Sequence, residues 1–378
     1  MTYGAYPARR AVAERVRECF ARHLELATLG PVEAAAPLPD TEAIEALIDT
    51  GFWTSLRREE GYVPIISLAL LPPEAAPSAL MFERPLRFAP AVLAKVAPAV
   101  ERPGIHLGVS VQDGSLSVWG ATRMLPPYCL VLEVAGPGLL VVKQHRGGEH
   151  TKFANIAVLE ADQVKIVDEQ ASSLPDCPPL LTSLLGFKTP VSWSDSVNVL
   201  VQLAVSMRAH KRGGLLLVVP ADSDKWRESI VAPIVYGLNP PFAGLADLLV
   251  HKASARDRLW QDALGRAIEG IAGLTAVDGA TIVTERQELL AFGAKITRRR
   301  GSPPVEQATV TEPIEGFVPS VVHPSSLGGT RHLSAAQFVH DQRDSVALVA
   351  SQDGRFTIFA WSGCESMVFA HRVEALLL

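Results

Sequence analysis

Gly328-Gly329-Thr330-Arg331-His332-Leu333, taken with Val277-Asp278-Gly279-Ala280 upstream, is the part of this chain that says most about its fold. The first stretch leads into residues 334–340, which are predicted to be helical. The second opens a strand predicted over 280–283. A Gly-Gly-Thr turn at a helix start leaves backbone N–H groups without intrahelical acceptors, and such groups favour an anion. Arg331 adds a fork of donors suited to phosphate. His332 adds a donor whose charge varies near neutral pH. Asp278, at a strand end, offers a carboxylate for a divalent cation or a sugar hydroxyl. Gly279 lets a ligand come close to the backbone. Taken singly, Asp278-Gly279-Ala280 reads as a tight turn. Thr330 or Ser334 can likewise be read as a plain helix cap.

Working outward, the C-terminal half alternates helix and strand. Val197, Leu200, Val201, Ala204 and Met207 form a helical stripe after Ser194, and Gly213-Gly214 ends it. A buried strand is predicted over 215–219, a helical stretch over 245–272 and a strand over 288–296. Strands at 346–350 and 356–361 flank Asp353-Gly354 as a hairpin. The N-terminal half reads differently. Helices are predicted over 9–26, after Asp40 and over 89–100, with a buried strand over 63–71. Hairpins follow around Asp113-Gly114 and Gly136-Pro137-Gly138, with one or two further strands over 153–167. The fold class expected is therefore α/β (α+β): a mixed sheet flanked by helices, preceded by an α+β domain with antiparallel hairpins. The Pro-rich stretch 174–179 marks the expected boundary, giving domains 1–174 and 175–378.

Composition narrows the function. Hydrophobic residues make up 48% and charged residues 20% of 378, which suits packed cores. A net charge of -5 leaves no footprint for duplex nucleic acid. No apolar run is long enough to span a bilayer, and residues 1–5 lack the apolar core of a signal peptide. A cytoplasmic protein with no membrane partner is the expectation. Cys19, Cys129, Cys177 and Cys364 lie far apart, so buried free thiols are expected rather than disulfides or zinc.

The order of the two quoted segments, within this pattern, resembles the signature of the diadenylate cyclase (DisA-type) domain. Asp278-Gly279-Ala280 matches its first motif. Gly329-Thr330-Arg331-His332 matches its second, Gly-Thr-Arg-His-Arg, except that Leu333 replaces the final Arg. The resemblance covers about residues 192–378. The hairpin at Ser117-Val118-Trp119-Gly120 and the strand at 139–143 resemble the leader of a divergent branch, the sensor group DACNV. The resemblance implies an adenine-nucleotide or cyclic-dinucleotide pocket. Asp278 would hold ribose or a Mg2+ or Mn2+ ion, and would be catalytic if the site turns over. Gly279 and Ala280 would flank base or sugar, and Gly329, Thr330, Arg331 and His332 would face phosphate. It also implies a homodimer, because active members work face to face.

Leu333 cannot neutralise phosphate charge as the family's Arg would. A nucleotide-sensing module is therefore favoured over a working cyclase making cyclic di-AMP from two ATP. A structural or partner-binding protein with a vestigial site is the third reading. If Leu333 is the sole lesion, Leu333→Arg should recover some synthesis, unless residue 333 faces the core. Other candidates have plainer readings. Residues 143–150, with His145 and His150, read as a solvated hairpin loop, and Arg298-Arg299-Arg300 as a solvated loop. His210-Lys211-Arg212 and His251-Lys252 read as helix-end charges, and Gln352-Asp353 as a hairpin turn.

Overall fold

Val12, Val16 and Phe20 recur at four-residue spacing, and the amphipathic helix this predicts forms as α1 (Arg9–Ala27), burying all three. The computed structural model describes residues 4–27, 35–146, 153–169, 195–250 and 258–378. Contacts divide the chain into two units, Met1–Val167 with Leu378, and Asp168–Leu377. The expected boundary at 174–179, Cys177, the cap at Ser194 and His251-Lys252 lie outside the described residues.

In the first unit, α1 packs on α2 (Thr41–Ser55), and α2 packs on α3 (Pro90–Val100). The sheet contains β1 (Ile66–Leu70), β2 (Leu80–Arg87), β3 (His106–Gln112), β4 (Ser115–Thr122), β5 (Leu130–Gly136), β6 (Leu139–His145), β7 (Phe153–Glu160) and β8 (Gln163–Ile166). Their order is β2-β4-β3-β1-β5-β6-β7-β8. The hairpins expected at 113–114 and 136–138 are present as β3–β4 and β5–β6. The sheet is mixed rather than purely antiparallel, because β1 runs parallel to β3. That pairing needs a crossover, and β2 and α3 lie within it.

In the second unit the nine-stranded sheet contains β9 (Gly214–Val219), β10 (Tyr236–Phe242), β11 (Ala280–Thr284), β12 (Leu289–Ala294), β13 (Ala308–Thr311), β14 (Ser320–Val322), β15 (Val346–Ala350), β16 (Phe356–Ser362) and β17 (Met367–Arg372). The order is β10-β12-β11-β9-β15-β16-β17-β13-β14. Strands β9 and β11 are parallel, while β15 runs antiparallel to β9. Every residue of β9 is buried, as expected for a strand covered on both faces. Leu215, Leu217 and Val219 share one core with Ala335, Ala336, Phe338 and Val339 of helix α7 (Thr330–Asp341). Helix α4 (Asp195–Ala209) packs on α6 (Arg258–Leu274) and on β15. The helical stretch expected over 245–272 is present as α5 (Gly244–Val250) and α6.

The register brings separate segments to one end of this sheet. Gly214 pairs with Ala350, and Thr281 with Leu216. The starts of β9 and β11 therefore meet the end of β15. Helix α7 leads into β15, so its N-terminus lies at the same end.

Candidate functional site

At that end, Gly279 has φ +119°, and a Cβ there would fall 2.6 Å from the Gly293 carbonyl oxygen. Only glycine tolerates both conditions. The backbone crossing this permits turns Asp278 outward, where its carboxylate is largely exposed. Lys295 Nζ donates to Asp278 Oδ2 at 2.6 Å and to the Asp278 carbonyl at 3.2 Å. The hydrogen bond and charge of Lys295 hold the Asp278 carboxyl below the usual carboxylate range, and Arg331 acts in the same direction. Asp278 and Arg331, fifty-odd residues apart, are thus electrostatic neighbours.

Arg331 lies beside Gly213. A Cβ at Gly213, whose φ is +70°, would stand 2.9 Å from Arg331 Nη1 and 3.4 Å from Gln352 Cγ. The Nε of Arg331 is buried and has no hydrogen-bond partner among the described residues. The same holds for Nε2 of His332, which is 4% exposed. The His332 ring lies against Gly328, where a side chain would collide with it, and edge-on to Phe359 at 6.1 Å. Burial pushes the imidazole below its ordinary value, and Asp353 opposes that shift. Helix α7 begins at Thr330 with Gly329 as N-cap, and no side chain caps it. Gly328, Gly329 and Thr330 are exposed. Buried polar nitrogens with nothing to bind carry a desolvation penalty that a ligand would relieve. Together with the Arg331 charge and the open first-turn N–H groups they make a cluster of polar groups suited to an anion.

All the expected site residues therefore reach one end of the sheet: Asp278, Gly279 and Ala280 at the start of β11, and Gly329 to His332 at the start of α7. Lys295 and Gly213 are partners that sequence reasoning did not assign. Gly213 reads as a helix stop, and Lys295 follows its strand without any motif. Tyr236 is a third. Its ring stacks on Phe292 at 4.8 Å and lies against Gly293, and the residue is 48% exposed.

Asp278 belongs to no group of three or more His, Cys, Asp or Glu side chains close enough to share an ion, among the described residues. With its carboxylate already on Lys295, this donor set by itself does not fit a resident divalent cation. Leu333 faces the core, packing against the cluster that holds Phe338 and Phe359. It also lines a hollow of about 360 Å3 shared with Arg298 and His323.

His145 is buried and hydrogen-bonded to the Pro126 carbonyl at 2.9 Å, and Lys143 pairs with Glu133. That part of 143–150 is packed rather than solvated, because it continues strand β6; residues 147–150 lie outside the described residues. Arg298, Arg299 and Arg300 are exposed, with Arg299 paired to Glu228 at 2.8 Å. His210 hydrogen-bonds Thr275 at 3.2 Å rather than standing as a loose charge. Asp353 sits in its hairpin turn, held by Ser351 and Arg355. Cys19 and Cys129 are buried, but Cys364 is exposed, at the turn between β16 and β17.

Among the described residues, no helix is long and apolar enough to cross a membrane. No curated protein matches the chain. One solved structure it matches is described as the hypothetical membrane spanning protein from Bacillus cereus. The match has 16% identity and a TM-score of 0.28, over 50% of this chain and 68% of that one. Likeness at that level bears on neither fold nor function. Within the first unit, residues 33–123 match the family model described as "Probable sensor domain DACNV", which takes in the Ser117–Gly120 segment and ends before β6.

Proposed function

We propose that this protein is a sensor whose second unit binds an adenine nucleotide or cyclic dinucleotide at the site formed by Asp278, Gly279, Arg331 and His332. The observation that carries the reading is the pair of buried nitrogens, Arg331 Nε and His332 Nε2, with no hydrogen-bond partner among the described residues, beside an uncapped helix start. Phosphate would accept from Arg331, His332 and the N–H groups following Gly329. Asp278 would exchange its Lys295 contact for a ribose hydroxyl, and the exposed face of Tyr236 offers a surface for a purine. Any Mg2+ or Mn2+ would arrive with the phosphates, which would supply most of its ligands. The sensor role is supported by the family match over 33–123. We place the protein in the cytoplasm and expect the second unit to pair with another copy.

A working diadenylate cyclase is the second reading, favoured by Asp278, Arg331 and His332 reaching one end of the sheet. Leu333 weighs against it. An arginine there would enter the hollow beside His323 and the like charge of Arg298. Leu333→Arg is therefore expected to destabilise the helix start rather than recover synthesis.

Calorimetry of the full chain with ATP, ADP and cyclic di-AMP tests the proposal. A charge-assisted hydrogen bond is worth about 1.5–3 kcal/mol, so Arg331→Ala should weaken binding roughly ten- to hundredfold. Equal affinity in the folded variant removes Arg331 from the site. Chromatography of products after incubation with ATP and Mn2+ or Mg2+ decides the second reading. Synthesis abolished by Asp278→Ala would make the protein an enzyme.

A further inference from the structure

The first unit carries a hollow that the nucleotide reading does not use. Strand β2 is the edge of its sheet, and its pairing with β4 slips. Met81 faces Gly120 and Leu86 faces Val118, so five steps along β2 span two along β4. The surplus residues form a bulge in β2, and residues of helix α3 line the hollow beside it. The result is a cavity of about 1140 Å3, just above the usual size of ligand pockets at roughly 300–1,000 Å3. Every residue lining it falls within 78–123, inside the segment matched as a sensor domain.

Its floor is apolar. Leu107, Ala121 and Leu80 are successive cross-strand neighbours on one sheet face. Leu107 is buried, but Leu80 is 62% exposed, so this row runs from the core into the open hollow. Val96 and Val100, one turn apart on α3, face it from the other side. The rim is cationic. Arg84, Lys95 and Arg123 line it against a single carboxylate, Glu83, and among the described residues none of the four makes an ion pair or side-chain hydrogen bond. Three cations against one carboxylate around an apolar floor stand out in a chain of net charge -5.

We propose that this hollow binds a small amphipathic organic anion. Its apolar tail would lie along the Leu80–Ala121–Leu107 row, and its carboxylate or equivalent would meet Arg84, Lys95 and Arg123. The signal sensed by the first unit would then be a medium-chain acid or a molecule of that chemistry. This site is independent of the one at Arg331, and either can fail without the other.

The test is calorimetry of the full chain with octanoate, decanoate and dodecanoate, and with decanol as the neutral counterpart. Carboxylate affinity should rise with length, by up to about fourfold per methylene. Decanol should bind more weakly than decanoate. Ala121→Phe, which fills the floor, should abolish binding while the thermal midpoint stays near wild type. The pair Lys95→Glu with Arg123→Glu should weaken decanoate roughly three- to tenfold and leave decanol unchanged, a modest effect because these cations are exposed. Arg331→Ala should leave decanoate binding unaltered. No carboxylate binding overturns the proposal, and so does decanol binding as tightly as decanoate. A dimer that Leu80→Glu converts to monomer, with no decanoate bound by wild type, would assign the β2 edge to a second copy instead.

Discussion

Gly213 limits where Arg331 can go. At its φ of +70°, a Cβ would stand 2.9 Å from Arg331 Nη1, so an added side chain would be strained and would displace the guanidinium. Gly213→Ala should cost about 1–2 kcal/mol of stability through the left-handed backbone. It should also push the guanidinium off its position and weaken ATP or cyclic di-AMP binding. Urea denaturation and calorimetry on the same variant separate the two effects. Lost stability with unchanged affinity would show that Arg331 does not need this seat. Asp278 illustrates the same dependence on single neighbours. Its charge is secured by Lys295, seventeen residues away and invisible as a motif.

At the level of elements, the start of α7 bears most on the proposed function. An N-terminal cap of Ser, Thr, Asp or Asn stabilises a helix, yet Gly329 offers no side chain here. A Cβ at Gly329 meets nothing within 4 Å, and its φ of -74° suits any residue. Gly329→Asp should therefore fold normally and raise stability by a few tenths of a kcal/mol. Its carboxylate would occupy the N–H groups offered to phosphate, so nucleotide affinity should fall by at least about tenfold. A variant that binds ATP as well as wild type would reduce this helix start to a structural detail. The Asp-Gly hairpins, the buried run of β9 and the α7 turn were legible because each carries a local signal: a turn dipeptide, an apolar stretch, a glycine lead-in. Strands β2 and β10 were not. Leu80–Arg87 mixes charges and a proline into an exposed edge, and Tyr236–Phe242 contains Asn239-Pro240-Pro241. Edge strands tolerate proline and polar residues, so their sequences lose the alternation that identifies a strand. Both hold features the motifs could not supply, the hollow beside β2 and the exposed ring of Tyr236.

Across the whole molecule, each unit buries a histidine that its fold keeps neutral. In the first, His106 is 5% exposed, and its Nδ1 lies 2.7 Å from Ser67 Oγ. Burial, with the nearby His145, lowers its pKa to about 4. In the second, His371 is 2% exposed, and its Nδ1 lies 2.7 Å from Thr311 Oγ1; burial lowers its pKa to about 4 as well. An unfolded histidine titrates near about 6.5. As pH falls, the unfolded chain takes up these protons before the folded one does, and proton uptake favours the state that binds more. The stability that depends on neutral His106 and His371 is thus fully present above about pH 6.5. It drains away as pH falls from about 6.5 towards about 4, and below that both states are protonated and the loss levels off. Urea midpoints measured across this range should be flat near neutrality and then decline. His371→Gln should make the decline shallower while keeping a side chain able to bond Thr311. A midpoint that stays constant down to about pH 4.5 would mean that the two imidazoles reach solvent, and that these cores open more readily than their burial implies.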